Sequence, residues 1–276
     1  MVRYDLHCHS TYSDGLLKPA DVVRRAAERG VDVLALTDHD ELAGIAEAQD
    51  AARDCGITLV PAAELSVTWE DDTIHVVALH LDPSNAALAE GLAGVRSGRD
   101  ERAHRIAASL DKAGIPDAFD GALQYVTSER LISRTHFARF LVDKGYVGDM
   151  KDAFKRYLTH GKPGYVPHAW ASMQDALSWI RGAGGQAVLA HPGRYRIGST
   201  GMKRLIAEFR EHGGTGIEVL SSSHTAAQAA EFATLARVFG LLASCGSDYH
   251  GPGESWLDLG DLPPLPAGVT PVWTAW

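Results

Sequence analysis

The chain of 276 residues is poor in cysteine: Cys8, Cys55 and Cys245 are all it has, and no two stand at CxxC spacing. That excludes a disulfide framework and suits a reducing compartment. There is no run of eighteen apolar residues and no charged-then-apolar start, so neither a membrane span nor a secretion signal is expected and a cytoplasmic location is. Basic charge is also short, with 26 Lys plus Arg against 35 Asp plus Glu and a net charge of −9. Long duplex nucleic acid is thereby disfavoured as a partner. A small phosphorylated ligand is not, because bound metal can supply positive charge locally. Histidine, by contrast, is plentiful at 13 residues.

Short apolar, β-branched runs recur at 2–7, 31–36, 57–63, 74–79, 186–190, 216–220 and 241–245. Apolar residues at helical spacing lie between them, at 19–29, 41–54, 172–183, 202–212 and 225–239. Nearly continuous apolar strands alternating with helices predict a parallel sheet, and seven of them fit an α/β barrel better than an open sheet. "TWEDDT" predicts a hairpin between the third and fourth strands. The rhythm breaks at 85–164, which holds helical segments and no strand pattern. The expected organisation is a barrel made of 1–84 and 165–276, with 85–164 as a helical insertion or cap contributing to substrate binding.

Ligand sites of parallel α/β folds lie at the carboxyl ends of the strands, and the chemistry-capable residues collect there. "DLHCHSTYSDG" puts His7, His9 and Asp14 after the first strand, with the two histidines on one side and Cys8 on the other. "TDHDE" supplies His39, "AAELS" Glu64, "AHPGR" His191 and Arg194, "SSSH" His224, and "CGSDYH" Asp248 and His250. His75 opens the fourth strand, and the hairpin can return it to the same rim. Each has an ordinary explanation alone, as a helix cap or a bonded core histidine. Asp40 is read as such a cap, and His80, His104 and His212 are left outside the site. Together, His7, His9, Asp14, His39, Glu64, His75, His191, Asp248 and His250 are too many for one tetrahedral ion and enough for two or three. Imidazole and carboxylate donors without thiolate suit Mn, Zn or Fe. Such clusters serve hydrolysis, chiefly of phosphate esters.

These motifs, in order from residue 5 to 250, resemble the polymerase and histidinol phosphatase (PHP) superfamily. The resemblance implies a distorted (β/α)7 barrel with a trinuclear centre of three divalent ions, commonly Mn, Zn or Fe. It assigns one ion to His7, His9, Glu64 and Asp248, a second to Glu64, His75 and His191, and a third to Asp14, His39 and His250. It also implies attack on a phosphomonoester by a metal-bridging hydroxide, with Glu64, His191 and Asp248 in the catalytic centre. His224 is a candidate general acid, against which a lowered pKa near a cationic cluster would weigh. The stretch "TSERLISRTHFARFLVDKGY" looks like the insertion of PHP enzymes acting on nucleotides, with Ser133, Arg134 and His136 at a helix start suited to a second phosphate and Arg194 over the same rim. The activity implied is removal of the 3′-phosphate from nucleoside 3′,5′-bisphosphates. Alternatives are 5′→3′ hydrolysis of short 5′-phosphorylated RNA, a histidinol-phosphate-type phosphatase, and a structural metal-binding module.

Overall fold

A computed structural model describes residues 2–127 and 131–276. Its sheet follows the path β1 (Tyr4–Asp5), β2 (Val33–Leu36), β3 (Thr58–Trp69), β4 (Asp72–Leu79), β6 (Gln186–Leu189), β7 (Gly216–Ser221) and β8 (Leu242–Gly246). Neighbours are parallel except β4, which runs antiparallel to both β3 and β6. The Leu6 N–H donates to the Cys245 carbonyl at 3.0 Å and Cys8 pairs with Tyr249. The last strand thus meets the first and nearly closes a barrel. The expected hairpin is present, with Trp69 opposite Asp72. It carries β3 well past the expected end at residue 63. The two-residue β5 (Ala171–Ser172), paired to β3, is too short to leave a sequence pattern.

Helices α1 (Pro19–Glu28), α2 (Ile45–Cys55), α7 (Met173–Gly182), α8 (Gly198–Glu211) and α9 (Ala226–Phe239) alternate with the strands. Period-two alternation sorts each strand. On β3, Ala63, Leu65 and Val67 join the large apolar layer shared with α7 and α8, while Val60 and Ala62 join an inner cluster with Val77 and Leu79 of β4. Glu64 and Ser66 share the inner parity of β3, and His75 that of β4. Asp40 caps no helix, because α2 starts only at Ile45. Its carboxylate instead accepts from the Ser66 N–H at 2.7 Å and the Ser66 hydroxyl at 2.9 Å, and pairs with Arg99.

Between β4 and β5 lie α3 (Ala86–Lys112), α4 (Ala118–Leu123), α5 (Arg134–Asp143) and α6 (Met150–Ala153), the last running into a π-turn at Phe154–Leu158. They bury an apolar cluster of their own around Ile106, Leu110, Phe137, Phe140 and Leu158. Residues 128–130 of the nucleotide-enzyme-like stretch lie outside the described residues. Among the described residues, no helix is long and apolar enough to cross a membrane.

Candidate metal centre

The strand ends converge as expected. His7, His9, Asp14, His39, Glu64, His75, His191, Asp248 and His250 form overlapping groups whose nitrogen and oxygen atoms lie within 4.8 Å of one another. Glu64 stands at the middle. Its Oε1 is 2.9 Å from both His75 Nδ1 and His191 Nε2. Its Oε2 is 3.3 Å from His7 Nε2, 3.4 Å from His9 Nε2 and 2.9 Å from His39 Nδ1. One carboxylate therefore faces two sides of the cluster with different oxygens. Asp248 Oδ1 completes the inner corner, 3.5 Å from His7 Nε2 and 3.2 Å from His9 Nε2. Atoms ligating one tetrahedral ion at about 2.0–2.2 Å stand about 3.3–3.6 Å apart. The His7 and His9 contacts, at 3.2–3.5 Å, lie close to that spacing, while the three 2.9 Å contacts of Glu64 are shorter.

The buried polar atoms without a hydrogen-bond partner give a second test of fit. They include His7 Nε2, His9 Nε2, Asp14 Oδ1, His39 Nδ1, Glu64 Oε2 and His75 Nδ1. Buried polar groups are normally satisfied, at about 1–3 kcal/mol each when they are not. Orphans so concentrated on one cluster of acceptor-type atoms fit divalent cations.

Protein groups alone leave the cluster electrostatically divided. Burial lowers the proton affinity of His9, and the neighbouring His250 and His39 lower it further, to about 3. Burial and Arg194 bring His191 down to about 4. Burial acts the same way on His250, but the Asp14 carboxylate outweighs it and raises the imidazole to about 9. Burial opposes ionisation of Glu64, yet the surrounding histidines, His75 foremost, hold it well below the usual carboxylate range.

The barrel itself braces the inner corner. Glu218, an isolated acid in β7, faces His7 Nδ1 at 2.7 Å and accepts the His191 N–H at 2.5 Å. His191 leaves β6 at φ 25 and Asp248 leaves β8 at φ 53, left-handed conformations that cost about 1–3 kcal/mol each. The Glu218 bond offsets this at His191, and the His7 carbonyl does so at Asp248, accepting its N–H at 2.8 Å. Gly246 is required beside them, since a Cβ there would lie 2.2 Å from that of His7. Asp38 gathers the "HSTYS" loop by accepting from the Ser10 N–H and from the Ser10 and Ser13 hydroxyls. Asp5 holds the opposite loop through the Ser247 and Gly260 N–H groups.

The expected substrate-side residues divide. Ser133, Arg134 and Arg194 line the cleft over the cluster. Arg194 pairs with Asp248. His136 does not line it: buried, its Nδ1 accepts the Ser133 N–H and closes the capping box of α5. His224 is likewise off the cleft wall. Its Nδ1 donates to the Val219 carbonyl at 3.1 Å and its Nε2 accepts the Gly193 N–H at 3.1 Å, so both nitrogens are committed to backbone. Arg99 and Arg102, which the strand-end reasoning passed over, line the cleft from α3 and are 4% and 6% exposed. Both stack on Trp170, at 4.7 and 5.1 Å. Arg99 is paired with Asp40, but among the described residues neither Arg102 nor Arg134 has a carboxylate partner. Burial, then Arg134 and Arg99, push Arg102 down to about 9. A buried, unpaired guanidinium is costly without an anion.

A nearly closed β/α barrel, with a buried histidine–carboxylate cluster where its strands end and an arginine-lined wall above, is the scaffold of a metal-dependent hydrolase. The chain belongs to the PHP domain family, matched over residues 5–165. It is 52% identical to the 3′,5′-nucleoside bisphosphate phosphatase of Chromobacterium violaceum, over 99% of this chain and 96% of that one. It is 45% identical to the 5′-3′ exoribonuclease Rnm of Escherichia coli, over 100% of this chain and 94% of that one. A solved structure of an amidohydrolase from Chromobacterium violaceum, holding sulfate and no metal, superposes with a TM-score of 0.96 at 51% identity, covering 99% of this chain and 95% of that one.

Proposed function

We propose that this phosphoric monoester hydrolase removes the 3′-phosphate of nucleoside 3′,5′-bisphosphates, leaving the nucleoside 5′-monophosphate and inorganic phosphate. The observation that carries the reading is one cleft with two loci for anions: the histidine–carboxylate cluster on its floor and, on its wall, Arg102 and Arg134, which have no carboxylate partner among the described residues. A substrate with two phosphates meets both. The 52% relative named for this activity supports the same choice.

In this reading His7, His9, Glu64 and Asp248 would hold one ion, Glu64, His75 and His191 a second, and Asp14, His39 and His250 a third. Mn is the proposed metal, the donor set also suiting Zn or Fe. Bound ions supply Lewis-acid polarisation of the phosphoryl group and activation of water at neutral pH. Arg194, 44% exposed and beside Asp248, adds a donor for the oxygens of the phosphate under attack. Arg102 and Arg134 take the 5′-phosphate, and Ser133 orients Asp14 by donating to its Oδ2 at 3.0 Å. His224 holds the Gly193 loop beside His191. The helices of 85–164 act as the cap, and the cytoplasm is the proposed compartment, in keeping with three free thiols.

A second reading, trimming of short 5′-phosphorylated RNA, is favoured by the 45% relative spanning the whole chain. Kinetics on Mn-loaded protein test the choice, using a 3′,5′-bisphosphate, a 5′-phosphorylated dinucleotide and p-nitrophenyl phosphate. Each charge-assisted bond is worth about 1.5–3 kcal/mol. Arg102→Met should therefore raise KM for the bisphosphate about 10-fold or more and leave p-nitrophenyl phosphate nearly unchanged. Equal losses on both would remove Arg102 from the second-phosphate site, and a dinucleotide preference would favour the exonuclease.

A further inference from the structure

We propose that the helical cap governs one corner of the cluster, the one formed by Asp14, His39 and His250, and so sets the affinity of the divalent ion held there. The inference rests on the reading that the cluster binds metal. It comes from a difference in what braces the two ends. The inner corner is held by the barrel, through Glu218 to His7 and His191. The outer corner, where Asp38 of the barrel gathers only the loop ahead of Asp14, takes its contacts to Asp14 itself from α5.

Asp14 is gripped twice by that helix. The Ser133 hydroxyl, at its N-cap, donates to Asp14 Oδ2 at 3.0 Å. This leaves Oδ1, which has no hydrogen-bond partner, 3.4 Å from His250 Nε2 and 3.7 Å from His39 Nε2. Two turns along, Arg139 donates to the Asp14 carbonyl at 2.6 Å. The same guanidinium makes a two-pronged pair with Glu254, with both bonds 2.7 Å long, and is only 5% exposed. Glu254 belongs to the loop that carries His250, and the next residue, Ser255, accepts the His250 N–H at 2.7 Å. One buried arginine of the cap therefore ties together the chain segments bearing Asp14 and His250. None of Ser133, Arg139 or Glu254 belongs to the cluster itself, so all three act as positioning residues. Coupling of this kind is reciprocal: whatever docking of α5 contributes to the ion, the ion contributes to docking of α5.

Metal stoichiometry and affinity test this directly. Wild type, Arg139→Met, Glu254→Gln and Ser133→Ala are dialysed to equilibrium against graded free Mn²⁺, and bound metal is counted by plasma mass spectrometry. Amide hydrogen exchange of α5 is followed in parallel. Loss of an outer-sphere partner costs about 10–100-fold in metal affinity. The expected result is that weakening for a single equivalent, with the remaining equivalents bound as in wild type, and slower exchange in α5 when Mn²⁺ is added to wild type. Ser133→Ala removes one hydroxyl and keeps the apolar core, so it reads the effect even if Arg139→Met destabilises the cap. Wild-type affinity for every equivalent in all three variants would overturn the inference, as would loss of all equivalents together. Failure of wild type to bind any Mn²⁺ would instead overturn the metal reading of the site, and the inference with it.

Discussion

Replacing Glu218 with Gln keeps volume and shape in β7 while removing the charge that braces two residues of the cluster. In wild type one oxygen faces His7 Nδ1 at 2.7 Å and the other accepts the His191 N–H at 2.5 Å. An amide satisfies at most one of these. Its NH₂ group must face a donor in one of the two places, so one charge-assisted bond is lost in a site that is 1% exposed. At about 1.5–3 kcal/mol for such a bond, and with His191 in a left-handed conformation that relies on this contact, about 3 kcal/mol is expected. That is roughly 100-fold in affinity, at the upper end of what outer-sphere carboxylates contribute to metal sites. Competition with a chromophoric chelator measures it on the Glu218→Gln protein, alongside phosphate release at saturating Mn²⁺. Affinity within about 2-fold of wild type would refute the argument that Glu218 sets the His7 and His191 geometry.

His136 predicts an acid-labile cap. Burial pushes it down to about 4 from an ordinary value near 6.5, so the unfolded chain binds more protons between those limits, and stability is full above 6.5 and falls by about 3 kcal/mol as pH drops towards 4. His136→Gln keeps a capping-box acceptor and should remove that loss in denaturant melts at pH 4.5 and 7, whereas an unchanged slope would place the effect elsewhere. His224→Ala should lower kcat by less than about 10-fold, because its nitrogens serve the Val219 and Gly193 backbone. A drop of 10²–10⁴-fold with loss of one limb of the pH profile would restore it as a proton donor.

Much of this was legible because two periodicities do the sorting. Apolar runs mark the seven principal strands, and the rule that ligands gather at strand ends brings Asp14, His39 and Asp248 together across more than two hundred residues. The hairpin inference even returned His75 to the rim. What escaped has a common cause: periodicity locates a face but does not name a partner. Glu218 is a lone acid in "GIEVL", and its burial in an apolar strand was itself the available signal. Arg99 and Arg102, one helical turn apart in "GRDER", lie in the insertion away from any strand end, and only the fold brings them over Trp170 and the cluster. Asp40 reads as a cap from its neighbours, but a left-handed φ of 51 turns it towards Ser66 and Arg99. His136 occupies the place where a capping box usually has Glu or Gln, and only the fold shows that its nitrogen serves the helix.

Product identification distinguishes cleavage at the 3′-phosphate from cleavage at the 5′-phosphate. Adenosine 3′,5′-bisphosphate is incubated with Mn-loaded protein and with the same protein after exhaustive chelation, and the phosphorus resonances of the products are assigned. Adenosine 5′-monophosphate and inorganic phosphate are expected with metal, and no turnover without it. Adenosine 3′-monophosphate as the product, or an equal rate after chelation, would contradict the proposed function.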